Sequence, residues 1–340
     1  MSALAAALPS LRGISAHTMR HKPCGTIGAP MGISQYIKEI GRGARGAKSL
    51  GREQAADLFG QVLDGTVTDL EIGAFCLAMR IKGETPEEMA GFLDATHARL
   101  ARFPATGRPL VVLPSYNGAR RLPVLTPLLA LLLAREGLPV LVHGAATEST
   151  RVLASNVLAV LDVPALAAVR PLRNGETVFA PTELLSPGLK RLLDVRRVVG
   201  LRNPGHSVVK LMQPGLGTCV VVGSYTHPEY SQSMAATFEL MGMTALLSRG
   251  LEGESAADPR RTAQVDGFVH GRRIALQAQQ PGTQSEVPGL PREIDIQTTA
   301  DYTRRVLAGE TPVPDAIAQQ VAQILQLAEL AQAGAQVEHS

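Results

Sequence analysis

The 340-residue sequence contains no tryptophan, and aromatic residues make up only 4% of it. A continuous aromatic platform for stacking nucleobases is therefore not expected. Cysteine is nearly as scarce: Cys24, Cys76 and Cys219 are scattered, with no paired or metal-ligand spacing. That excludes a disulfide framework or zinc motif and points to a reducing, cytoplasmic compartment. No run of about 18 apolar residues occurs, so no membrane-spanning helix is expected. Ser115 lacks the GxSxG surround of an activated nucleophile. His97, His206 and His227 stand at no triad or metal spacing, so structural roles are expected for them. There is no internal repeat.

Acidic residues are missing locally rather than globally. Residues 1–30 hold Arg12, Arg20 and Lys22 and no acid, which accounts for the whole formal charge of +3. The rest of the chain balances 30 cations against 30 acids, so the pI of 8.9 carries no argument for a polyanionic partner. Only local clustering can carry one.

Residues 1–32 show no helical period and are expected to form a disordered extension, with Met31 a possible alternative start. Residues 33–103 read as a small helical domain. Ile33, Tyr36, Ile37 and Ile40 follow the i, i+3, i+4, i+7 rule. Thr68-Asp-Leu-Glu71 and Thr85-Pro-Glu-Glu88 are capping boxes, the first followed by the apolar face Ile72, Phe75, Cys76 and Met79. The basic stretch Arg42 to Lys48 is either a solvated loop or an additional phosphate contact. Phe103 to Arg108, with Pro104 and Gly107, reads as a hinge into a larger α/β domain over residues 109–334.

Within that domain, Leu110 to Leu161 alternates strand, loop and helix. Leu110–Leu113 and Pro139–Val142 are apolar runs of buried-strand length. Thr126-Pro127 is placed to open a helix, Thr as N-cap and Pro at N1, with Gly137 closing it. The loops Pro114–Arg121 and His143–Thr150 then leave the carboxyl ends of neighbouring strands and face one cleft. Further strands are expected at Cys219–Val222 and Thr244–Leu247, and helices at 151–161, 189–200, 228–241, 298–308 and 315–331. Residues 172–187 read as irregular, and 250–298 as short strands and loops.

The stretch from Leu113 to Ala146 resembles the nucleoside-phosphorylase/anthranilate phosphoribosyltransferase superfamily, glycosyltransferase family 3. Leu113-Pro-Ser-Tyr-Asn117 stands where that family carries GTGGD, and Val142-His-Gly-Ala-Ala146 where it carries KHGNR. Pro114-Ser-Tyr-Asn-Gly-Ala-Arg120, Arg202-Asn203 and His227-Pro-Glu-Tyr230 resemble the marks of a divergent branch, the YbiB-type proteins, over roughly residues 33 to 318. The resemblance implies a helical N-terminal domain that forms the dimer contact, an α/β domain with a mostly parallel sheet, and DNA binding by a homodimer. It also places Arg196 at or near the family's anthranilate-binding arginine.

The same resemblance exposes what is lost. A pyrophosphate cradle needs glycine N–H donors, a cation, and magnesium held by carboxylates. Here the glycines ahead of the acid are replaced, Pro114 has no N–H to give, and Asn117 takes the place of Asp. Val142 replaces the Lys, and Ala145-Ala146 the Asn-Arg pair. The Asp-Glu metal pair falls near Glu252-Gly-Glu254, whose acids are not adjacent and read equally well as a solvated loop. No cofactor is expected; magnesium belongs only to the alternative, a phosphoribosyltransferase or related glycosyltransferase with an altered substrate. Ser115, Tyr116, Asn117, Gly118, His143 and Gly144 form the remnant cleft. His143 is either a cleft-lining survivor or a hydrogen-bonded loop residue. Tyr116, Tyr225 and Tyr230 are either isolated stacking residues or packing residues.

Cations have been gained beside it. Between Ser186 and Gly215, Lys190, Arg191, Arg196, Arg197, Arg202 and Lys210 face one acid, Asp194, a local sum of +5. Lys190, Asp194 and Arg197 share a helix face, with Leu192, Val195 and Val199 opposite. Arg120 and Arg121 add charge at the first loop, and Arg151 at the second helix. The bland alternative is ordinary solvated or paired arginines. The expectation is sequence-independent DNA or RNA binding through these nine cations, in a homodimer that duplicates the patch, with no membrane partner. A protein-interaction scaffold is the third possibility, since fold alone does not decide function.

Overall fold

The computed structural model describes residues 32–43, 45–146 and 150–337. The expectations for the extension and for Cys24 lie outside these residues, Gly32 excepted.

Four helices come first: α1 (Ser34–Ile40), α2 (Arg52–Asp64), α3 (Asp69–Lys82) and α4 (Pro86–His97). Both capping boxes form as the sequence predicts. Thr68 Oγ1 accepts from the Glu71 N–H, while Glu71 accepts from the Thr68 N–H at 2.9 Å. Thr85 and Glu88 repeat the exchange, and buried Glu88 also accepts from Leu50 N–H and Lys82 Nζ. The centre is three phenylalanines: Phe59 stacks on Phe92 at 4.6 Å, and Phe75 meets both edge-on.

The α/β part is a seven-stranded sheet of order β3-β2-β1-β4-β5-β6-β7. Its strands are β1 (Leu110–Ser115), β2 (Val140–Gly144), β3 (Thr177–Pro181), β4 (Cys219–Tyr225), β5 (Ala245–Arg249), β6 (Val265–Val269) and β7 (Arg272–Gln277). The first five are parallel and the last two antiparallel. Helices α5 (Thr126–Arg135), α6 (Ala154–Val160), α7 (Thr182–Leu185), α8 (Pro187–Val199), α9 (Gly205–Leu211), α10 (Pro228–Leu240), α11 (Ile296–Leu307) and α12 (Asp315–Val337) complete the chain. Strand residues alternate between two buried faces. Val112, Leu141 and Val221 join the core shared with the helical end, and Val111, Val140 and Val220 the core under α5 and α12. Both faces are covered, which is why these strands read as continuous apolar runs.

The structure differs from the sequence reading at four places. Residues 172–187 contain β3 and α7. β3 is a five-residue strand at the sheet margin, carrying too little apolar length to signal itself. α9 has no counterpart in the sequence reading; Asn203 anchors it, accepting from Gly205 N–H while donating to Leu192 O in the middle of α8. The segment read as a hinge is pinned: Phe103 is fully buried, donates from its N–H to Pro214 O, and accepts from Leu216 N–H. Thr126 is not the N-cap of α5 but lies inside its first turn, and its hydroxyl turns to a distant carboxylate.

β6 and β7 form a hairpin whose turn residues, His270 (φ 49°) and Gly271 (φ 78°), both adopt left-handed backbone, the I′ geometry that suits sheet twist. β7 is the free margin, with Arg272 and Arg273 exposed and a register shift between Val265 and Asp266.

Replacing Phe92 with alanine removes the ring stacked on Phe59 in a closed core. The expected loss is about 3–5 kcal/mol of unfolding free energy, read from the urea midpoint.

Candidate functional site

β1 and β2 run parallel with Ser115 beside Gly144, so the loops that follow them leave the same edge of the sheet. A Cβ on Gly144 would lie 2.1 Å from Ser115 O, so only glycine permits this approach. The first loop turns at Gly118, in left-handed conformation at φ 65°. It is tied to the start of α6 by a bridge between Ala119 and Val152.

The loop is organised by a carboxylate from the turn after β5. Glu254, 2% exposed, receives four donors. One oxygen accepts from the backbone N–H of Asn117 (2.8 Å) and Gly118 (2.9 Å). The other accepts from the hydroxyls of Ser115 (2.5 Å) and Thr126 (3.1 Å). Glu252 extends the pattern, its Oε1 accepting from the N–H of Arg120 (3.0 Å) and Arg121 (2.7 Å). The solvated loop offered as one sequence reading of these acids is thus overturned. Charge alone gave no signal for it, because the donors lie more than 120 residues away.

Asn117 is the hub. Its Nδ2 donates to Glu252 O, its Oδ1 accepts from Arg202, and its carbonyl accepts from Arg151. Arg197 donates to Ala146 O, just beyond β2, and pairs with Asp194 at 3.5 Å. Arg196 lies near enough to His206 to join Arg202 and burial in lowering that imidazole's pKa to about 4, burial contributing most. Arg120, Arg121, Arg151, Arg197 and Arg202 therefore border the loops leaving β1 and β2, and Arg196 lies near His206 of α9. Arg120, Arg121 and Arg197 are the exposed members.

The other three cations are placed differently. Lys190 is paired with Asp194. Arg191 donates to Val62 and Leu63 carbonyls at the end of α2, fastening α8 to the helical end. Lys210 turns inward, donating to Gly253 O; burial pushes its pKa down to about 8, against the pull of Glu254. In the basic stretch near residue 45, Arg42 and Lys48 both lie against Glu39.

The remnant-cleft aromatics are core. Tyr116 is buried, its hydroxyl 2.8 Å from His143 Nδ1 and 2.9 Å from Thr182 Oγ1, so it offers no face for stacking. His143 is fully buried and its pKa is lowered to about 3, which keeps it neutral. Of its two readings, the hydrogen-bonded one is nearer, except that His143 lies within β2 and not in a loop. Tyr230 is exposed at the start of α10, 6.3 Å from the His227 ring; Tyr225 is half-buried at the end of β4.

Magnesium would need carboxylate oxygens open to the ion and its waters. Both Glu254 oxygens and Glu252 Oε1 instead face N–H or O–H donors, and Lys210 lies close by. Among the described residues no group of three His, Cys, Asp or Glu is arranged to hold a metal. The donor set does not fit the ion.

The chain is 39% identical over 299 residues to YbiB of Escherichia coli (strain K12), covering 86% of this chain and 93% of that protein. It belongs to the YbiB family. A model of the glycosyl transferase family helical bundle domain matches residues 34–99 of this YbiB-family chain. An anthranilate phosphoribosyltransferase of Nocardioides sp. is 27% identical, covering 79% of this chain and 80% of its own. Among solved structures, the anthranilate phosphoribosyltransferase of Thermus thermophilus superposes with TM-score 0.64 at 22% identity, covering 87% and 89% of the two chains. The Saccharomyces cerevisiae enzyme in complex with PRPP and Mg gives 0.62 at 13% identity, covering 87% and 88%. These likenesses show the anthranilate phosphoribosyltransferase fold. Among the described residues no helix is long and apolar enough to cross a membrane.

Burial holds three histidines of this chain neutral: His143 at about 3, and His97 and His206 at about 4, against an ordinary value of 6.5. His97 must stay neutral, because its Nε2 accepts from Gln213 N–H. Their folded values lie below their unfolded ones, so their contribution is whole above pH 6.5 and is lost as pH falls toward 4. Each adds a slope of up to about 1.4 kcal/mol per pH unit. Urea unfolding at pH 7, 6 and 5 is expected to show a falling midpoint, and His97→Gln to flatten that fall.

Proposed function

We propose that this protein binds DNA or RNA without sequence preference, through phosphate contacts from the arginines bordering the loops after β1 and β2. The supporting observation is the gathering of Arg120, Arg121, Arg151, Arg197 and Arg202 around one sheet edge, in a chain whose residues 31–340 carry no net charge. Arginine suits the task because its guanidinium grips phosphate oxygens in a fixed fork. Backbone contacts of this kind give affinity without reading bases. Of the nine cations read from sequence, Lys190, Arg191 and Lys210 are not assigned to the contact surface, because Lys210 is buried against Gly253 O, Arg191 bonds the end of α2 and Lys190 bonds Asp194; Arg151, Arg197 and Arg202 also hold bonds within the fold. The proposal includes a cytoplasmic homodimer, whose two-fold axis would duplicate the arginine cluster.

The decisive measurement is affinity for a duplex and a single strand at rising salt. Each phosphate contact contributes a slope of about −0.9 in log K against log salt on duplex DNA. The triple variant Arg120→Ala/Arg121→Ala/Arg197→Ala leaves the backbone bonds to Glu252 in place. It is expected to reduce the slope by about 2–3 and to weaken binding to all sequences alike. A flat salt dependence in the wild type would remove the reading.

A second reading keeps catalysis: transfer of a phosphoribosyl or related glycosyl group to an altered substrate. It is favoured by the relatives named anthranilate phosphoribosyltransferase and by the shared fold. Against it stand Pro114 near the end of β1, which has no N–H to donate, and the engagement of Glu252 and Glu254 with backbone donors. Calorimetry with phosphoribosyl pyrophosphate and magnesium separates the two readings. The nucleic-acid reading expects no heat at millimolar ligand, and saturable heat would favour the transferase.

A further inference from the structure

Phenylalanine and tyrosine serve this chain almost entirely as core. All seven phenylalanines are buried. Of the five tyrosines, Tyr116 and Tyr302 are buried, and Tyr36 and Tyr225 are half-buried. Tyr230 is the exception, 40% exposed. The His227 ring lies beside it, also exposed, with centroids 6.3 Å apart and planes tilted by 56°.

Both rings are held on a regular element. His227 is the N-cap of α10, and Pro228 is its first residue, with fixed φ. The Tyr230 N–H donates to His227 O at 3.1 Å and closes the first turn. Rings carried in this way lose little conformational freedom when a flat ligand settles on them.

The pair stands at the arginine edge. β4 runs parallel to β1 and β5, so the segment after β4 leaves the sheet on the same side as the loop after β1. The two segments adjoin: a Cβ on Gly253 would touch both Asn117 Nδ2 and Thr226 Cγ2. Thr226 precedes His227, and Asn117 holds Arg202. On the other side, Arg249 is exposed at the end of β5, in register with Tyr225. Burial and Asp266 raise the Tyr225 phenol's pKa, and Arg249 is near enough to oppose them. Across β2, β1, β4 and β5 the edge therefore presents Arg197, Arg202, the ring pair and Arg249 in turn. Three strand spacings separate its ends, roughly 14 Å. Glu229 is exposed between the rings. A carboxylate there repels phosphate, so an anionic backbone is directed to the arginines on either side, and the rings are left to the uncharged face of a base.

We propose that His227 and Tyr230 form a base-stacking subsite, which adds affinity for single-stranded DNA or RNA that a duplex does not share. The subsite rests on phosphate contact by the arginines, the function proposed above. In a duplex the base faces are stacked on one another and closed to protein rings, whereas a single strand can turn them out. Every base has a π-face, so stacking confers strand preference without sequence preference.

The test uses the full-length protein and three probes of equal length: a thymidine oligomer, an abasic strand with the same phosphates, and a duplex. The wild type is expected to bind the thymidine oligomer about tenfold more tightly than the abasic strand. Tyr230→Ala is expected to lose that margin, with affinity for the abasic strand and the duplex held within about twofold and the salt slope unchanged. Tyr230→Phe keeps the ring and is expected to match the wild type. Equal weakening of all three probes by Tyr230→Ala would make the residue structural and overturn the subsite. Equal wild-type affinity for thymidine and abasic strands, a comparison that needs no variant, would also overturn it; with steep salt dependence, that result leaves the arginine contacts standing. A flat salt dependence removes both.

Discussion

One buried carboxylate holds the functional edge of this fold together. Glu254 reaches from the turn after β5 to the loop after β1 and the first turn of α5, and four donors close on it. A buried charge is tolerated only when its oxygens are satisfied. Here the fold satisfies both with neutral groups fixed on rigid elements. The course of residues 115–121 follows from that engagement. Asn117 is oriented by it, and Asn117 in turn receives Arg151 and Arg202. Arg151 and Arg202 at this edge are therefore positioned by a loop whose own backbone donors are already used.

Charge in this protein is neutralised locally. Arg191 closes the end of α2, Lys82 meets buried Glu88, and Lys190 and Arg197 share Asp194. Within the segment of six cations and one acid, Asp194 offsets both Lys190 and Arg197. A similar self-sufficiency separates this chain from the anthranilate phosphoribosyltransferases whose fold it shares. The architecture is retained at low identity, while Pro114 stands near the end of β1 and the loop after it bonds a carboxylate of the same chain.

Much of the architecture was legible because it rests on local rules. Thr68 and Thr85 announce capping boxes, Pro228 opens α10, and the runs at Leu110, Val140 and Cys219 are long enough and apolar enough to be parallel strands. β3 was hidden because a five-residue marginal strand needs little apolar content. α9 was hidden because its anchor is a side-chain bond from Asn203 to a carbonyl in the middle of α8, eleven residues earlier. The site was legible only in part. The loops after β1 and β2 leave one sheet edge, as parallel pairing dictates, but each starts two residues later than read, because Pro114-Ser115 and His143-Gly144 complete the strands. The roles of Glu254, Thr126 and Lys210 were not legible, because each is set by a partner from a remote segment. Tyr116 reads in sequence as either a stacking or a packing residue and is a core hydrogen-bonding residue in space, since nothing local reveals that Thr182 and His143 stand opposite it.

The free margin of the sheet has a consequence for how copies of this chain behave at high concentration. A bare strand edge is a template onto which another molecule can zip. At β7 that template is spoiled: two neighbouring guanidinium groups, Arg272 and Arg273, project from it, the latter fastened to Asp266, and the adjoining strand is out of step beside the same residue. Fibril-like growth from this side would have to bury like charges and mend a register fault at once. The protein is thereby shielded from self-propagating aggregation on the margin opposite β3.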